Sequence, residues 1–400
     1  MTIPFYKPSI GAEEKAAVQR VLDSGWLTTG KVAREFEERF AEYVGARYAV
    51  AVNSCTAALH LGLEAYGVRE GDVVLVPTMT FAATAEVVRY FGARPVLVDC
   101  DPHTLLVDPE AMEVAAAEWA PTGKLKAMIP MHYGGQMCDM DRMAEIAKRY
   151  QVSLLEDAAH TLPAYYRSHS TAPWRSVGET SPMACFSFYA NKCITTGEGG
   201  MLTTSDQGIA ERVRMMSLHG LSKNAWTRFE AKGSWYYEIV EAGFKYNLTD
   251  VAAAIGLAQL AKANRLWRER QALANLYREE LAGSEEFLAV HPELEDRQSS
   301  WHLFPIRLNL EAMSIDRAEF IEQMKAAGVT CSVHWMPLHL HPYYVREYGY
   351  RPEEFPNASA AWPTLVSLPL FPGMTRPEVE YVANAAKTIA QRYVRQTVSA

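Results

Sequence analysis

Strand and helix signals alternate along the first 250 residues or so, and this alternation restricts the fold more than any other feature of the sequence. Short apolar runs such as YAVAVN, DVVLVP and RPVLVDC are each followed by a segment with helical periodicity. Strands joined through helices are normally parallel and are covered by helices on both faces. The sequence therefore predicts an α/β fold with a large, mixed, mostly parallel sheet, in which ligands bind beyond the carboxyl ends of the strands.

The pattern changes after about residue 250, where the long helical stretch TDVAAAIGLAQLAKANRLWRERQALANLYREELAG begins. Strand signals follow in WHLFPIRLNL and VTCSVHW, and helical signals in RAEFIEQMKAAG and RPEVEYVANAAKTIAQRYV. Because 400 residues exceed what one small core accommodates, we expect two domains. Residues 1–255 are predicted to form a large α/β domain with an N-terminal arm, and residues 256–400 a smaller α+β domain. The polar residues 165–181 are expected to form a long loop or a short hairpin.

Composition and charge exclude several classes of function. The net charge is -8, and no cluster of lysine and arginine is interleaved with aromatic residues, so we expect no nucleic-acid partner. No apolar run approaches the roughly 18 residues that span a membrane, and the first residues lack the apolar core of a signal peptide. The six cysteines form no CxxC pair and have no regular spacing, which is typical of reduced thiols in a cytoplasmic protein.

Asp157 and Lys192 each follow an apolar run and should therefore lie at the carboxyl ends of strands. Taken alone, the aspartate could cap a helix and the lysine could be a solvated surface residue. Taken together, they match what pyridoxal phosphate requires, namely a lysine that holds the cofactor as a Schiff base and a carboxylate that keeps its ring nitrogen protonated. Such a lysine must be partly desolvated for its amine to be neutral near pH 7.

Four further features are candidates for holding the same cofactor. Residues 54–57 lie where the strand YAVAVN gives way to a helix, and the free amides of a helix N-terminus attract a phosphate, with plain capping as the alternative. Ser187 could add a hydroxyl to that phosphate or face solvent as an ordinary strand residue. Phe81 could stack on the cofactor ring or belong to the core, and His160 could bond the phenolic oxygen or be a structural histidine.

The segment VHWMPLHLHP contains three histidines, His334, His339 and His341, and raises the question of a metal site. No carboxylate or cysteine stands nearby at ligand spacing. The sequence therefore predicts no metal site here.

Several segments together resemble the DegT/DnrJ/EryC1/StrS family of pyridoxal-phosphate sugar aminotransferases. They run from about residue 5 to residue 390 in the order that the family has them, and they read WLTTG, VNSCTAALHL, PTMTFAATA, IPMHYGG, LEDAAH, FSFYANKCITTGEGG, GFKYNLTDVAAAIGLAQL and SLPLFPGMT. The resemblance implies fold type I, the aspartate-aminotransferase fold, for nearly the whole chain.

The resemblance also implies a role for each residue that matches a family motif. Lys192 would hold the cofactor as a Schiff base and shuttle the proton of the reaction. Asp157 would pair with the pyridinium nitrogen, and Phe81 would take the ring-stacking position. His160 would lie near the cofactor oxygen, at a position where the family has His or Gln.

The same motifs imply a phosphate site and an assembly. Thr56 and Ala57 would bind the phosphate through their backbone amides, and Ser187 through its hydroxyl. Asn247, in KYNLTD, matches the asparagine that reaches the phosphate of the neighbouring subunit's cofactor. This correspondence implies a homodimer with active sites at the subunit interface.

The substrates are implied by the resemblance as well. Relatives that are sugar dehydratases have histidine where this chain has Lys192, so an aminotransferase is expected, with L-glutamate as the amino donor. GFKYNLTD and HGL resemble members that aminate C4 of a nucleotide-diphospho-4-keto-sugar, among them the 4-amino-4-deoxy-arabinose enzymes. Amination at C3, another fold type I enzyme and a pyridoxal-phosphate-binding regulator stay open as alternatives. Lys223, Arg228 and Lys245 are candidates for binding the diphosphate or, alternatively, solvated charges.

Overall fold

The computed structural model describes residues 1–221 and 237–395. In these ranges the α-helices are α1 (Ala12–Ser24), α2 (Lys31–Val44), α3 (Cys55–Ala65), α4 (Ala83–Arg89), α5 (Pro109–Trp119), α6 (Met140–Tyr150), α7 (Gln207–Met216), α8 (Asp250–Ala261), α9 (Ala263–Leu281), α10 (Arg317–Ala326), α11 (Pro342–Tyr348), α12 (Pro356–Ala361) and α13 (Arg376–Arg392). The strands are β1 (Tyr48–Val52), β2 (Val73–Pro77), β3 (Arg94–Val98), β4 (Leu125–Met128), β5 (Ser153–Leu154), β6 (Glu156–Asp157), β7 (Tyr165–Tyr166), β8 (Arg175–Ser176), β9 (Met183–Ser187), β10 (Gly200–Thr204), β11 (Leu288–Val290), β12 (Arg297–Gln298), β13 (Phe304–Leu308) and β14 (Leu365–Leu368).

Two four-stranded sheets, β3-β2-β4-β5 and β6-β9-β10-β1, join into one central layer. β5 and β6 are halves of one extended segment that is interrupted at Leu155. The Leu155 amide donates to the Met128 carbonyl at 3.1 Å, and the Asp157 amide donates to the Pro130 carbonyl at 2.9 Å. These hydrogen bonds carry the pairing from β4 to β6 and so place Asp157 in the middle of the layer.

The strands of this layer run parallel except for β10, which is antiparallel to both β9 and β1. Gly200 lies opposite Ser187, so the irregular connection 188–199 brings the chain back to the end of β9 that it left. A connection without a crossover helix cannot return the chain to the other end of the sheet, and an antiparallel strand results. The prediction of a mixed, mostly parallel α/β sheet is confirmed.

Apolar side chains form a first large core around the central layer. Its aromatic centre consists of Phe36, Phe40, Phe186 and Phe188, whose ring centroids lie 5.0 to 6.0 Å apart. A β-carbon on Gly256 of α8 would come within 2.6 Å of the Phe36 ring, so glycine lets α8 pack directly on this cluster.

A second core lies around the antiparallel sheet β11-β13-β14, against α9, α10 and α13. Tyr277 and Phe304 stack at its centre with ring centroids 4.7 Å apart. Leu338 and Tyr344 follow this sheet's second strand in sequence but pack into the first core. The predicted boundary between residues 255 and 256 falls inside α8, and the division into two domains stays a prediction.

Residues 165–181 contain a short hairpin, which was one of the two expectations for this segment. β7 pairs with β8 on one side and with β12 on the other. The Arg297 guanidinium of β12 lies 4.1 Å from the ring centroid of Tyr166, a cation–π contact that holds the hairpin to β12.

None of the helices within residues 1–221 and 237–395 is both long and apolar enough to cross a membrane. All six cysteines are free thiols, and five of them are buried.

Candidate active site

A cavity of about 440 Å³ lies at the carboxyl ends of β6 and β9, where sheets of this kind bind their ligands. Part of its wall follows the central strands, and part comes from the C-terminal third of the chain. The described residues that line it are Ser54, Cys55, Thr56, Leu59, Phe81, Ala83, Met131, Asp157, Ala159, His160, Ser187, Tyr189, Asn191, Lys192, Glu198, Gly199, His302, His334 and Trp335.

Lys192 lies in the turn after β9, where its backbone amide donates to the Tyr189 carbonyl at 3.0 Å. Its side chain faces the cavity and is enclosed by protein elsewhere, so the residue is half-buried. Nζ has no hydrogen-bond or ion-pair partner among residues 1–221 and 237–395. Burial lowers the pKa of Lys192 to about 8, although Cys55 and Asp157 partly counteract this effect. A useful fraction of the amine is therefore neutral near pH 7.

Asp157 ends β6 and is only 4% exposed. Its Oδ2 accepts a hydrogen bond from Thr84 Oγ1 at 2.7 Å, and its Oδ1 accepts one from the Ala159 amide at 3.1 Å. Burial raises the pKa of Asp157, and the two donors and Lys192 oppose that rise. The residues after Asp157 form a turn and not a helix, so helix capping does not account for this aspartate.

Two histidines and a tryptophan form one wall of the cavity. The ring centroid of His160 lies 4.2 Å from that of His302 and 4.8 Å from that of Trp335. Burial lowers the pKa of both histidines well below the ordinary value, and the charge of Lys192 lowers it further. Both imidazoles are therefore neutral at pH 7, and Nδ1 of each has no hydrogen-bond partner in the described part of the chain.

The predicted phosphate end lies at the first turn of α3. Ser54 caps this helix, because its Oγ accepts a hydrogen bond from the Ala57 amide at 3.1 Å. Thr56 lines the cavity, whereas Ala57 does not. Ser187 also lines the cavity, and its Oγ accepts from the Tyr189 amide at 3.3 Å, which leaves the hydroxyl proton free to donate. A phosphate role for Thr56, Ala57 and Ser187 stays a prediction.

Phe81 is 59% exposed and lines the cavity, so it is not an ordinary core residue. Its ring centroid lies 6.4 Å from that of Trp335, and the two rings are tilted by 51°. Stacking of Phe81 on a cofactor ring stays a prediction.

Asn247 does not line this cavity. Its side-chain amide donates to Thr29 Oγ1 at 2.7 Å, and its Oδ1 accepts from Lys245 Nζ. The contact of Asn247 with a neighbouring subunit therefore stays a prediction. The other two basic candidates for binding the diphosphate, Lys223 and Arg228, lie outside the described residues.

The three histidines of VHWMPLHLHP have separate partners. His334 lines the cavity and its Nδ1 lies 2.9 Å from Ser367 Oγ. His339 is buried between Thr78 Oγ1 at 2.7 Å and Ser359 Oγ at 2.9 Å, and His341 Nε2 lies 3.2 Å from the carbonyl of the preceding Met336. Within residues 1–221 and 237–395, no three His, Cys, Asp or Glu side chains are arranged to hold a metal.

Sequence reasoning missed His302 and Trp335 as site residues because both lie in segments that it assigned to strands. Residues 329–335 make only isolated bridges, Ile3 with Val329 and Ser332 with Ser367, so the predicted strand VTCSVHW is wrong. Pairing at single points leaves the end of this segment free to bend into the cavity. The only signal in the sequence was that His302 and Trp335 stand at the ends of predicted strands.

The groups in this cavity fit pyridoxal phosphate. A partly neutral amine and a buried carboxylate face one space, as the cofactor's aldehyde and ring nitrogen require. The first turn of α3 borders the same space and can receive a phosphate. The unpartnered His160 can donate to a ring oxygen.

Comparison with known proteins finds similarity over almost the whole chain. The model of the DegT/DnrJ/EryC1/StrS aminotransferase family matches residues 8–387. A protein of Methanocaldococcus jannaschii, named uncharacterized protein MJ1066, is 42% identical over 388 residues, which is 97% of either chain. The spore coat polysaccharide biosynthesis protein SpsC of Bacillus subtilis is 40% identical over 392 residues, again 97% of either chain.

Solved structures match equally widely. Spr1654 of Streptococcus pneumoniae, a proposed sugar aminotransferase in its PLP-form, has a TM-score of 0.88 at 30% identity, over 98% of this chain and 99% of that one. DesV of S. venezuelae, in complex with a ketimine intermediate, has a TM-score of 0.86 at 32% identity over 98% and 99% of the chains. PseC of Helicobacter pylori, an aminotransferase involved in pseudoaminic acid biosynthesis, has a TM-score of 0.88 at 26% identity over 98% and 100%.

Proposed function

Since the chain belongs to the DegT/DnrJ/EryC1/StrS aminotransferase family, we propose that it transfers the amino group of L-glutamate to the 4-keto group of a nucleotide-diphospho-sugar. The chain is a sugar aminotransferase that depends on pyridoxal phosphate and has fold type I, as the sequence predicted. The amino donor, the nucleotide carrier and the position of the keto group on the sugar are proposals.

One observation supports the proposal above all others: Lys192 Nζ and the Asp157 carboxylate face one cavity, and the amine has no protein partner in the described ranges. When bound, pyridoxal phosphate supplies an aldehyde that links to amines and a protonated ring that accepts the electrons of a deprotonated carbon. Lys192 Nζ would hold that aldehyde. Asp157, fixed by Thr84 and Ala159, would keep the proton on the ring nitrogen.

Lys192 also serves as the acid and base of both half-reactions. Its neutral Nζ takes the proton from Cα of glutamate, and the same nitrogen later delivers a proton to the carbon of the keto group. A pKa of about 8 suits both tasks near neutral pH, because the neutral and the charged amine are both populated there. Since one amine acts from one side of the cavity, the new amine on the sugar has a single configuration.

The residues that line the cavity favour a sugar as the amino acceptor. The histidines that line the cavity, His160, His302 and His334, are neutral at pH 7. Neutral imidazoles and an indole suit hydroxyl groups and the apolar face of a sugar ring.

We propose a homodimer in which Asn247 binds the phosphate in the partner's site. In support, Asn247 does not line its own chain's cavity, and Lys245 beside it adds a positive charge. We also propose a reducing, cytoplasmic location, which the six free thiols support. Light scattering that finds a fully active monomer would overturn the assembly.

The experiment that tests the function is a visible absorption spectrum of the purified protein before and after addition of glutamate. We expect a cofactor band that glutamate bleaches and that a keto sugar restores. Lys192→Ala should lack both responses. Lys262→Met should keep them, because Lys262 pairs with Glu14 outside the cavity.

The acceptors for this experiment are UDP- and dTDP-linked hexoses with the keto group at C4 or at C3. Recovery of the band with 4-keto sugars alone supports the proposal, and recovery with 3-keto sugars alone transfers it to C3. A band that glutamate does not bleach rejects glutamate as the donor. No band after addition of pyridoxal phosphate would mean that Lys192 and Asp157 do not form the site described here.

A further inference from the structure

The wall of the cavity contains a histidine, His302, that neither the sequence motifs nor the proposed chemistry uses. His302 is 5% exposed, and its Nδ1 has no hydrogen-bond partner among the described residues. The fold therefore leaves hydrogen-bonding capacity of this imidazole unused, although the residue lines the cavity. His291 has a similar unpartnered nitrogen but does not line the cavity, so burial alone does not distinguish His302.

The backbone next to His302 has an uncommon conformation. Trp301 has a φ of 50°, in the left-handed region that bulky residues avoid, although its side chain is buried in the second core. Residues held in this region are strained and are concentrated at functional sites. Here the left-handed turn directs the side chain of Trp301 into the core and leaves the next side chain, His302, in the cavity wall.

Contacts on both sides fix this turn against the first core. Ser300 Oγ donates to the His160 carbonyl at 2.5 Å, and the Ser300 amide donates to the Gly135 carbonyl at 3.0 Å. Arg270 Nη1 donates to the Trp301 carbonyl at 3.1 Å. A β-carbon on Gly135 would come within 2.1 Å of Ser300 Oγ, so glycine is required for this approach. The position of His302 is therefore determined by several independent contacts.

The hydrogen-bonding state of His302 follows from its surroundings. The imidazole is neutral and has one proton to place on either nitrogen. A buried N–H without an acceptor is rarer in proteins than a buried lone pair without a donor. The proton therefore belongs on Nε2, and since His302 lines the cavity and its Nδ1 is enclosed, Nε2 is the ring nitrogen left to donate a hydrogen bond to a ligand there.

We propose that His302 is a substrate-binding residue that donates this hydrogen bond to a hydroxyl oxygen of the sugar, next to the carbon that is aminated. The inference rests on the proposed function, because it takes the acceptor to be a keto sugar. A neutral donor fits a hydroxyl group better than it fits a carboxylate of glutamate. Trp335 lines the same wall, and its ring contacts the His160 ring as His302 does. Its indole offers an apolar surface for the ring face of the sugar. Ser300 and Trp301 are positioning residues in this arrangement.

The test separates the two half-reactions in His302→Leu, which removes the donor, and in His302→Gln, which keeps an N–H group. The probes are UDP-4-keto-6-deoxyglucose and dTDP-4-keto-6-deoxyglucose for recovery of the cofactor band, and UDP-glucose and dTDP-glucose for binding by calorimetry. We expect kcat/KM for the keto sugar to fall about 10-fold to 100-fold in His302→Leu, mostly through KM, and less in His302→Gln. The rate of bleaching by glutamate should stay within about twofold.

Two further variants complete the design. His291→Gln is the matched control, because it alters a buried, neutral histidine outside the cavity, and it should behave as wild type in both half-reactions. Ser300→Ala should raise KM for the keto sugar more than it changes the glutamate step, since it loosens the turn that carries His302. Cofactor spectra and melting temperatures of all variants establish that they fold.

Several results would overturn the inference. Keto-sugar kinetics of His302→Leu within about twofold of wild type would show that His302 makes no energetically useful contact. An equal fall in both half-reactions would place His302 in a step common to them and not at the sugar. A wild-type protein that glutamate bleaches, but that neither keto sugar restores and neither nucleotide sugar binds, would reject the acceptor class and His302 with it. A wild-type protein that glutamate does not bleach would instead reject the proposed donor.

Discussion

Lys192→Met should make the cofactor-free protein more stable at neutral pH, although it removes the amine on which activity depends. The ordinary pKa of a lysine is 10.5, and burial lowers that of Lys192 to about 8. The folded protein therefore holds a charged amine at pH 7 in a place that favours the neutral form. Methionine has a similar length and no charge, so it removes this unfavourable term and still fills the space.

The gap between 10.5 and about 8 corresponds to about 3 kcal/mol, at about 1.4 kcal/mol per pKa unit. Because the folded protein binds this proton more weakly than the unfolded chain does, stability rises with pH between about 8 and 10.5. Below this window both states are charged and the full penalty is present. Above it neither state is charged and the penalty is gone. The cavity admits water, so about 3 kcal/mol is an upper bound.

Urea denaturation of the two apoproteins at pH 7 and at pH 9.5 measures the effect, provided that the m-values agree. We expect Lys192→Met to be more stable by up to about 3 kcal/mol at pH 7 and by less at pH 9.5. Lys262→Met is the control with the opposite sign, because Lys262 Nζ lies 2.5 Å from the buried Glu14 Oε1 and its loss leaves that carboxylate without its cation. The reasoning is refuted if Lys192→Met gains no stability at pH 7 or gains the same amount at both pH values.

Three further predictions concern the site and its support. Asp157→Asn should keep the cofactor band but slow bleaching by glutamate at least about 100-fold in stopped-flow absorbance, because an amide cannot hold the ring nitrogen protonated; bleaching at the wild-type rate would exclude that role. An equal mixture of Lys192→Ala and Asn247→Ala subunits, refolded together, should recover about a quarter of wild-type activity if each site combines residues of two subunits and each variant alone is inactive, and no more than half the activity of Asn247→Ala alone if it does not. Gly135→Ala should lower the free energy of unfolding in urea by at least about 2 kcal/mol, because Gly135 has a φ of 109° and its β-carbon would strike Ser300 Oγ; an unchanged unfolding midpoint would contradict the contact.

The sequence was sufficient to locate Lys192 and Asp157, because a polar residue that ends an apolar run lies at a strand end wherever that strand is placed in the sheet. It was not sufficient for the direction of β10, since direction depends on the connection and not on the apolar run itself. It also could not locate His302, whose place depends on a left-handed residue and on a hydrogen bond from Ser300 to a residue 140 positions away. Contacts of this range leave no periodic signal in the sequence.

Adjacent carboxylates in the middle of the sheet show why residue type alone does not define this site. Glu156 and Asp157 are consecutive residues of an extended strand, so their side chains point to opposite faces. Glu156 Oε2 lies 2.7 Å from His132 Nε2, and both of its oxygens accept from Thr180 Oγ1, so internal partners neutralise its charge. Asp157 accepts only two hydrogen bonds of the four or so that a carboxylate can accept, and it faces the cavity.

The lysines and histidines repeat this contrast. Lys262 is paired with Glu14, whereas Lys192 has no partner in the described ranges; His339 is held between two hydroxyls, whereas His302 is not. Lys192 and His302 border the cavity and have hydrogen-bonding capacity that the fold leaves unused, whereas Lys262 and His339 outside it are satisfied; His291, whose Nε2 is also unpartnered, does not line the cavity. A protein that maximised its own stability would pair or remove such groups, as the expected gain for Lys192→Met illustrates. Unused hydrogen-bonding capacity together with a place on the cavity wall is therefore the property that separates the residues of this site from others of the same type, and it brings His302 into the site on the same grounds as Lys192.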